Sequence, residues 1–252
     1  LFSNNYNGIM IGDSTNNSIQ GNNVSNNNRN GMGMRKCSYL TITNNTLLWN
    51  NENGIWIEDS NNNTISDNNV SNTLMYDGIG MHNCSHLNIT GNTLLSNNHN
   101  GIWMEDSDNN TIGNNNASYS VMYDGVGMRN CSHNNITGNS LSSNNHSGLW
   151  IGDSHNITIS HNHAFNNNDH GIGVLNCSHT NITGNSLLSN NQHGLWMENS
   201  NHNTLSNNNA SYNSMYHGIG VRNCSYLNIT GNTLVSNNHN GIWMEDSDNN
   251  TI

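Results

Sequence analysis

The chain is built on a regular glycine period. Eleven glycines follow one another at intervals of 23 or 24 residues: Gly8, Gly31, Gly54, Gly78, Gly101, Gly125, Gly148, Gly171, Gly194, Gly218 and Gly241. Self-similarity at a period of 20–50 residues is the signature of a solenoid, in which each repeat contacts only its neighbours. We therefore expect any function to lie in columns of equivalent residues, rather than in one pocket built from distant segments.

Aliphatic residues recur in columns at fixed distances after each glycine. They stand one and three residues later, as Ile55 and Ile57 do, which is the period of a strand. They also stand eleven and sixteen residues later, as Ile65 and Val70 do. No apolar run is long enough for a helix. Three short inward-facing segments per repeat predict an all-β, three-sided parallel β-helix of about eleven coils, forming a single domain over 1–252.

Asparagine recurs fourteen residues after the glycine in every complete repeat. The column contains Asn22, Asn45, Asn68, Asn92, Asn115, Asn139, Asn162, Asn185, Asn208 and Asn232. Asparagine tolerates left-handed backbone and bonds its own main chain in turns, and amides stacked at about 4.8 Å can bond between coils. We therefore predict a corner and an asparagine ladder here. The absence of proline agrees, because inter-coil ladders need nearly every backbone N–H.

The charge balance and the distribution of apolar residues exclude two kinds of partner. The formal net charge is −11, with only five lysines and arginines in 252 residues. Nucleic-acid binding needs a basic stripe, and the sequence has none. No stretch approaches the roughly 20 apolar residues of a membrane span. We expect neither a nucleic-acid partner nor a membrane span.

Tryptophan and glycine alternate two residues after the period glycine. The tryptophans are Trp56, Trp103, Trp150, Trp196 and Trp243. Because they stand between two inward positions, they should point outward and lie over the bare glycine backbone of the neighbouring coil. Such a row of indole rings, with steps of about 9.6 Å, could stack against sugar rings or pack against another rod. The alternative is simple packing of Trp on Gly to shield the sheet.

Charged residues four positions after the glycine share that outward face. Its glutamates, which join the tryptophans in a candidate binding face, are Glu58, Glu105, Glu198 and Glu245. Opposite charges in adjacent coils predict ion pairs of Glu58 with Arg35 and of Glu105 with Arg129. A carboxylate pair such as Glu58 with Asp59 could hydrolyse a glycoside if about 5–9.5 Å apart. Its recurrence in several coils favours a solvated charge ladder, and we do not predict an enzyme.

Serine and cysteine alternate six residues after the glycine. The cysteines are Cys37, Cys84, Cys131, Cys177 and Cys224. Equivalent cysteines are two coils apart, about 9.6 Å, beyond the Cα separation of roughly 7 Å that a disulfide tolerates. No two can therefore pair within one rod. The column is either a buried stack of small side chains or, if exposed, a set of cross-links between rods.

Metal-ligand patterns are present but incomplete. A C-S-H motif occurs at Cys84–His86, Cys131–His133 and Cys177–His179. The cysteine and histidine of such a pair on a strand would face the same way, but two ligands do not complete a metal site. Asp106–Asn110 begins like a calcium loop without its glycine and terminal glutamate. Copper and calcium are therefore only weak expectations. A further histidine column, too widely spaced to share one ion, contains His99, His146, His193 and His239.

The two alternating units resemble a known repeat. Gly54–Asn69 (GIWIEDSNNNTISDNN) and Gly78–Leu94 (GIGMHNCSHLNITGNTL) are similar to the parallel β-helix repeat of the NosD-like family. That family overlaps a wider set of carbohydrate-binding proteins and sugar hydrolases. The resemblance covers the whole chain and implies a right-handed β-helix. It also implies periplasmic copper delivery to nitrous oxide reductase, although the same repeat occurs in many surface proteins of archaea and bacteria.

Three functions follow as expectations. The first is a segment of an extracellular, repetitive surface protein (a sheath, surface layer, fibre or adhesin) that self-associates into a fibre or layer. Uniform columns, low charge and the exact recurrence of His99–Ile112 as His239–Ile252 favour it, and they indicate a window of a longer array. The second is a protein that binds or processes polysaccharide through its Trp and Glu face. The third is a periplasmic copper-binding accessory protein.

Overall fold

The computed structural model describes all 252 residues as one parallel β-solenoid without helices. Each full coil contributes to three parallel sheets, and equivalent strands of successive coils pair with one another. The register is that of the sequence repeat, so that Trp103 pairs with Gly80 on one side and Gly127 on the other. The predicted all-β, three-sided solenoid is confirmed.

The first sheet carries the Trp column and has eleven strands of four residues. In coil order they are Ile9–Gly12, Met32–Arg35, Ile55–Glu58, Ile79–His82, Ile102–Glu105, Val126–Arg129, Leu149–Gly152, Ile172–Leu175, Leu195–Glu198, Ile219–Arg222 and Ile242–Glu245. In most of its strands the first and third side chains point into the core, while the second and fourth face outward.

The other two sheets have strands of three residues. The second sheet has ten: Ser18–Gln20, Thr41–Thr43, Thr64–Ser66, Asn88–Thr90, Thr111–Gly113, Asn135–Thr137, Thr158–Ser160, Asn181–Thr183, Thr204–Ser206 and Asn228–Thr230. The third has eight: Thr46–Leu48, Asn69–Ser71, Thr93–Leu95, Asn116–Ser118, Ser140–Ser142, His163–Phe165, Ser186–Leu188 and Asn209–Ser211. The middle residue of each strand points inward. One continuous core of 46 buried hydrophobic residues therefore runs along the axis.

The predicted asparagine ladder is confirmed, and it is buried. Asn92 is representative: its Oδ1 accepts hydrogen bonds from the backbone N and the Nδ2 of Asn68, both at 3.0 Å. Its Nδ2 donates to the carbonyl of Ile65 at 2.8 Å. The same contacts run from Asn22 to Asn232. Each side chain thus satisfies backbone groups that the corner takes out of the sheets.

The corner beside this ladder differs from the prediction in one respect. The left-handed residue is not the ladder asparagine but the residue before it: Asn44 has φ 55° before Asn45, and Gly91 has φ 67° before Asn92. The sharp bend is made one residue early. The ladder side chain is thereby turned inward, where its amide reaches the backbone of its own and the neighbouring coil.

A second buried asparagine ladder, which the sequence analysis missed, lies nineteen residues after the period glycine. Asn167, for example, donates from N and Nδ2 to Asn190 Oδ1 and from Nδ2 to the carbonyl of Leu141. Its signal was hidden in runs of consecutive asparagines. Its members are Asn27, Asn50, Asn97, Asn144, Asn167, Asn190, Asn213 and Asn237.

The period glycines are required by close backbone approach. A Cβ on Gly101 would stand 2.6 Å from the carbonyl oxygen of Gly125 and 2.7 Å from the Cβ of Ala117. Neither Gly101 nor Gly125 has a positive φ. The glycine column is therefore the seam at which successive coils come closest.

The cysteine column lies inside the solenoid. All five cysteines are buried and free. Cys84 Sγ lies 3.2 Å from the carbonyl oxygen of His82, and the Cys84 backbone N donates to Ser107 Oγ of the next coil at 3.0 Å. Burial raises the pKa of the Cys84 thiol to about 11 and that of Cys131 to about 12. This arrangement agrees with a buried stack of small side chains, and it leaves no thiol exposed for cross-links between rods.

Replacing one ladder asparagine should destabilise the solenoid. We expect Asn92→Ala to lower the free energy of unfolding by about 2–4 kcal/mol, because at least two buried polar groups lose their partners at about 1–3 kcal/mol each. The matched control is Asn88→Thr, since Asn88 is exposed and its neighbour Thr64 holds threonine in the same column. Urea unfolding followed by circular dichroism measures both. Equal stability of the two variants would contradict the ladder's role.

The buried thiols should be unreactive in the folded protein. Because the thiolate is the reactive form and burial raises the thiol pKa, dithionitrobenzoate should modify almost none of the five cysteines at neutral pH. After denaturation in urea, all five cysteines should react with the reagent in the same assay. Rapid modification of the native protein would show that the column is accessible.

Candidate functional site

The tryptophan column lies on the outer face of the first sheet, half-buried against glycines of the next coil. A Cβ on Gly80 would stand 2.9 Å from Trp56 Cε3, and one on Gly127 would stand 2.8 Å from Trp103 Cε3. The alternation of Trp and Gly is therefore a steric requirement, as the sequence pattern indicated. The rings cover the glycine backbone with one face and leave the other side to solvent.

The rings are not evenly spaced. Those of Trp103 and Trp150 have centroids 6.4 Å apart with planes 15° from parallel, and those of Trp196 and Trp243 are 6.0 Å apart at 17°. These separations are shorter than the predicted step of about 9.6 Å. Trp103 lies over Gly127 of the intervening coil, whereas Trp150 lies over Gly152 of its own strand, where the other tryptophan coils carry glutamate.

Three adjoining cavities follow the tryptophans and form one groove, called the Trp groove below. The largest, about 480 Å³, is lined by Asp77, His99, Asn100, Trp103, Met122, Tyr123, Asp124, His146 and Trp150. The second, about 380 Å³, is lined by Asn30, Glu52, Asn53, Trp56, Tyr76, Asp77 and Trp103. The third, about 200 Å³, is lined by His146, Trp150, Asp169, His170, Gly173, Val174, Leu175, Trp196 and Glu198. Shared residues join neighbouring cavities.

One wall of the groove comes from the coils that have 24 residues. Their extra residue lies in the loop before the next glycine, as in Thr73–Asp77 and Ser120–Asp124. In the second loop Met122 and Tyr123 line the largest cavity, with exposed fractions of 47% and 44%. The sequence signal was the 24-residue spacing itself, together with the recurrent Met-Tyr-Asp.

The floor of the groove is formed by the residues that immediately precede the glycines. Asn100 donates from N and Nδ2 to Asp77 Oδ1, both at 2.9 Å, and the backbone N of Asp124 donates to Asn100 Oδ1 at 3.0 Å. This is a third ladder, in which Asp77 and Asp124 stand where Asn53 and Asn100 do in other coils. Burial raises the pKa of Asp77. Neither aspartate stands out in the sequence pattern.

A charged triad closes one side of the largest cavity. His146 Nδ1 donates to Asp124 Oδ1 at 2.7 Å, and His146 Nε2 donates to Asp169 Oδ2 at 3.1 Å. These two hydrogen bonds raise the pKa of His146 to about 10. The imidazole is therefore a cation at neutral pH, and both of its N–H groups are used by carboxylates.

Beyond the triad the floor becomes a stack of histidines. The rings of His170 and His193 are 5.2 Å apart, as are those of His193 and His217. Burial lowers the pKa of His170 to about 4 and that of His193 to about 3. The predicted column of His99, His146, His193 and His239 is wrong in one member. His193 immediately precedes its glycine, whereas the other three stand one residue earlier.

The charged column of the first sheet is an ion-pair ladder. Arg35 Nε lies 3.6 Å from Glu58 and 4.0 Å from Asp59. Glu58 and Asp59 thus share one guanidinium, as a solvated charge ladder predicts. The expected pair of Glu105 with Arg129 is replaced by Arg129 with Asp153, whose Nε–Oδ2 distance is 3.2 Å.

Two further ion pairs of this face centre on one arginine. Arg222 lies between Glu198 and Glu245, at 3.7 and 3.8 Å. Of the four glutamates in the candidate binding face, Glu198 lines the groove, whereas Glu58, Glu105, Glu245 and also Trp243 do not line its three cavities.

The structure separates the predicted metal-ligand pairs. Cys84 points inward, whereas His86 is exposed in left-handed backbone with φ 55°. His133 and His179 have the same outward position. The expectation that both side chains of the motif face the same way is therefore wrong, because a corner lies between them. No group of three or more His, Cys, Asp or Glu side chains is arranged to hold a metal ion.

The triad should make stability depend on pH in the alkaline range. Because the folded-state pKa of His146 is raised from 6.5 to about 10, its ion-pair stabilisation is complete below 6.5 and is lost as the pH rises through about 10. We expect the stability difference between the wild type and His146→Gln to narrow over that window in urea unfolding. A difference that stays constant would show that His146 is not charged in the folded state.

Comparison with known proteins places this geometry in a family. The family model described as a right-handed beta helix region matches residues 1–121 and 115–252. No curated protein sequence matches the chain. No helix that could cross a membrane occurs in the structure. The narrower NosD-like resemblance stays a prediction.

Several solved structures are similar in fold. The periplasmic alginate epimerase AlgG has 16% identity over 87% of this chain, with a TM-score of 0.61, and this chain spans 61% of AlgG. The A-module of the Azotobacter vinelandii mannuronan C-5 epimerase AlgE4 has 14% identity, covers 92% and 78% of the two chains, and has a TM-score of 0.63.

The enzymatically active domain of bacteriophage CBA120 tailspike protein 2 has 13% identity, covers 91% of this chain and 39% of that chain, and has a TM-score of 0.70. At such identities the likeness concerns the fold. The family match extends over the whole chain, and it agrees with the three stacked parallel sheets. The chain therefore belongs to the family of proteins with a right-handed beta helix region.

Proposed function

We propose that this protein binds a polysaccharide lengthwise in the Trp groove. The observation that carries the proposal is the cavity of about 480 Å³ between Trp103 and Trp150, which has polar side chains along its floor. Ligand sites are typically concave, largely apolar and equipped with a few well-placed polar groups. A sugar ring has the matching chemistry, with an apolar C–H face for the indoles and hydroxyls at its rim.

The polar partners for those hydroxyls are fixed in position. Asp77 and Asn100 are held by the ladder of the groove floor, and Asp124 is held by His146. Carboxylate and amide oxygens accept hydrogen bonds from hydroxyl donors, and the Asn amide also donates. The site therefore offers acceptors in a preorganised row beside an aromatic surface, which lowers the entropy cost of binding.

The length of the groove suits a polymer. From Trp56 to Trp196 the chain makes six coil steps, which at about 4.8 Å each span roughly 29 Å. Repeated subsites along such a groove would hold several sugar units of one chain. The fold neighbours support this choice, since two of them are epimerases named for the polymers alginate and mannuronan.

This proposal ranks the second sequence-based expectation above the first, a self-assembling surface component. The groove is a specific feature that a purely structural rod does not require. A site for polysaccharide also accords with an extracellular or periplasmic location, which we propose for this chain. Self-association remains a prediction from the sequence.

Processing of the bound chain is a second candidate function. Burial raises the pKa of both Asp77 and Asp124, which line the same cavity, and of the two only Asp124 accepts a hydrogen bond from His146. A carboxyl group with a raised pKa is the usual general acid of glycoside hydrolysis. Release of reducing ends from a bound polysaccharide, abolished in Asp77→Asn, would support this candidate.

Removing one indole should weaken binding without unfolding the protein. We expect Trp103→Ala to lower the affinity for a bound polysaccharide about tenfold or more, equivalent to roughly 1.4 kcal/mol, because Trp103 lines two of the three cavities. Affinity electrophoresis over a panel of neutral and charged polysaccharides identifies the ligand, and calorimetry measures the variants.

The matched control is Trp49→Ala. Trp49 is 50% exposed and lies in a corner away from the first sheet, so its loss should leave binding unchanged. Circular dichroism confirms that both variants are folded. Equal affinities of Trp103→Ala and the wild type, or an equal loss in the two variants, would contradict binding in the groove.

A further inference from the structure

We infer that the Trp groove selects a glycan without carboxylate or sulfate groups. The inference rests on the proposed function and adds the class of ligand. Its basis is the complete absence of available cations from a groove that is lined by carboxylates. The acidic side chains that line its three cavities are Glu52, Asp77, Asp124, Asp169 and Glu198.

The lysine and arginines lie elsewhere, and three of the four arginines are already paired. Neither a lysine nor an arginine lines any of the three cavities. Arg35 is held by Glu58, Arg129 by Asp153, and Arg222 by two glutamates. Arg29 lies over the ring of Tyr6 at 5.1 Å. Proteins that recognise a carboxylate or sulfate normally present a free guanidinium or ammonium to it.

The one cation on the groove wall cannot take that role. Both N–H groups of His146 are used by Asp124 and Asp169, so an arriving anion finds no free donor there. The buried His170 and His193 are neutral at physiological pH, because burial lowers the pKa of each.

Two of the acids interrupt a run of amides in the floor column. Asn30 and Asn53 occupy the floor column in earlier coils, and Asn100 separates Asp77 from Asp124. An amide donates as well as accepts, whereas a carboxylate only accepts. Each change from Asn to Asp therefore removes the side-chain amide, which Asn53 and Asn100 use as a donor within the column, and adds an acceptor for hydroxyl donors. The floor is complementary to a ligand rich in hydroxyl groups.

A uronate unit in this groove would face carboxylates without a counter-charge. Placing like charges together in a partly dehydrated cleft is unfavourable, and such repulsion is a common source of binding specificity. The polymers named for the fold neighbours, alginate and mannuronan, carry a carboxylate on each sugar unit. The ligand class inferred here therefore differs from theirs.

The test compares hexasaccharides that differ in charge. Neutral probes are cellohexaose, maltohexaose and the N-acetylated chitohexaose, and acidic probes are hexamers of mannuronate and galacturonate. By calorimetry at neutral pH and low salt, we expect at least one neutral probe to bind, with an affinity about tenfold or more above that of either acidic probe. Added salt should leave neutral binding unchanged and should narrow the difference by screening repulsion.

Two variants test the electrostatic cause. Asp77→Asn restores the residue that the column has in neighbouring coils, which keeps the fold, and Glu52→Lys reverses a charge at the rim of the groove. Each should strengthen binding of the acidic probes about threefold or more relative to binding of the neutral probe. Circular dichroism provides the folding control.

The outcomes separate the two proposals. Binding of an acidic hexamer as tight as, or tighter than, that of every neutral probe would overturn the charge selection while leaving polysaccharide binding intact. Binding that is neutral-selective but unaltered by both variants would also overturn it, because the selectivity would then have another cause. If no probe and no polysaccharide of the wider panel binds, the proposed function itself fails.

Discussion

The structure depends on hydrogen bonds that run from one coil to the next. Backbone groups pair between equivalent strands, and at the corners, where strands end, buried asparagines take over that role. The side chain of Asn92 bonds the backbone of Asn68 and Ile65 and the side chain of Asn68 in the preceding coil, and its backbone N donates to Asn115 in the next. Since a buried amide without a partner is costly, each coil must repeat the path of the one below. The equal rise of the coils and the stacking of equivalent side chains follow from this requirement.

That constraint explains how much the sequence could predict. The inward columns of Ile55, Ile65 and Val70 were evident because a two-residue period and a fixed repeat are local properties of the chain. The ladder of Asn45 followed from its strict recurrence. The left-handed conformation was predicted one residue too late, at the ladder asparagine itself. Asn44 and Asn45 are both asparagine, and only the backbone geometry distinguishes them.

The groove was harder to predict because it depends on departures from the repeat. Trp150 lies over its own strand, 6.4 Å from Trp103, because Gly152 has no side chain there, and no periodicity contains that information. His193 was assigned to the wrong column because it follows His146 by 47 residues, whereas the two coils from Gly148 to Gly194 contain only 46. The pair formed by Asp124 and His146 requires both the correct alignment and the direction of two side chains.

A regular solenoid presents the same surface in every coil, so a distinct site arises only where the repeat is broken. In this chain the breaks coincide: an inserted residue brings Tyr123 to the rim, and aspartate replaces asparagine in the floor beneath it. The backbone ladder tolerates that replacement because Asp77 keeps the oxygen that accepts from Asn100. What changes is that a side-chain donor is lost, of the kind that Asn53 gives to Asn30 within the column, and a titratable group is gained. The backbone N of Asp77 still donates to Asn53 Oδ1, so the column stays continuous while the chemistry of the groove changes.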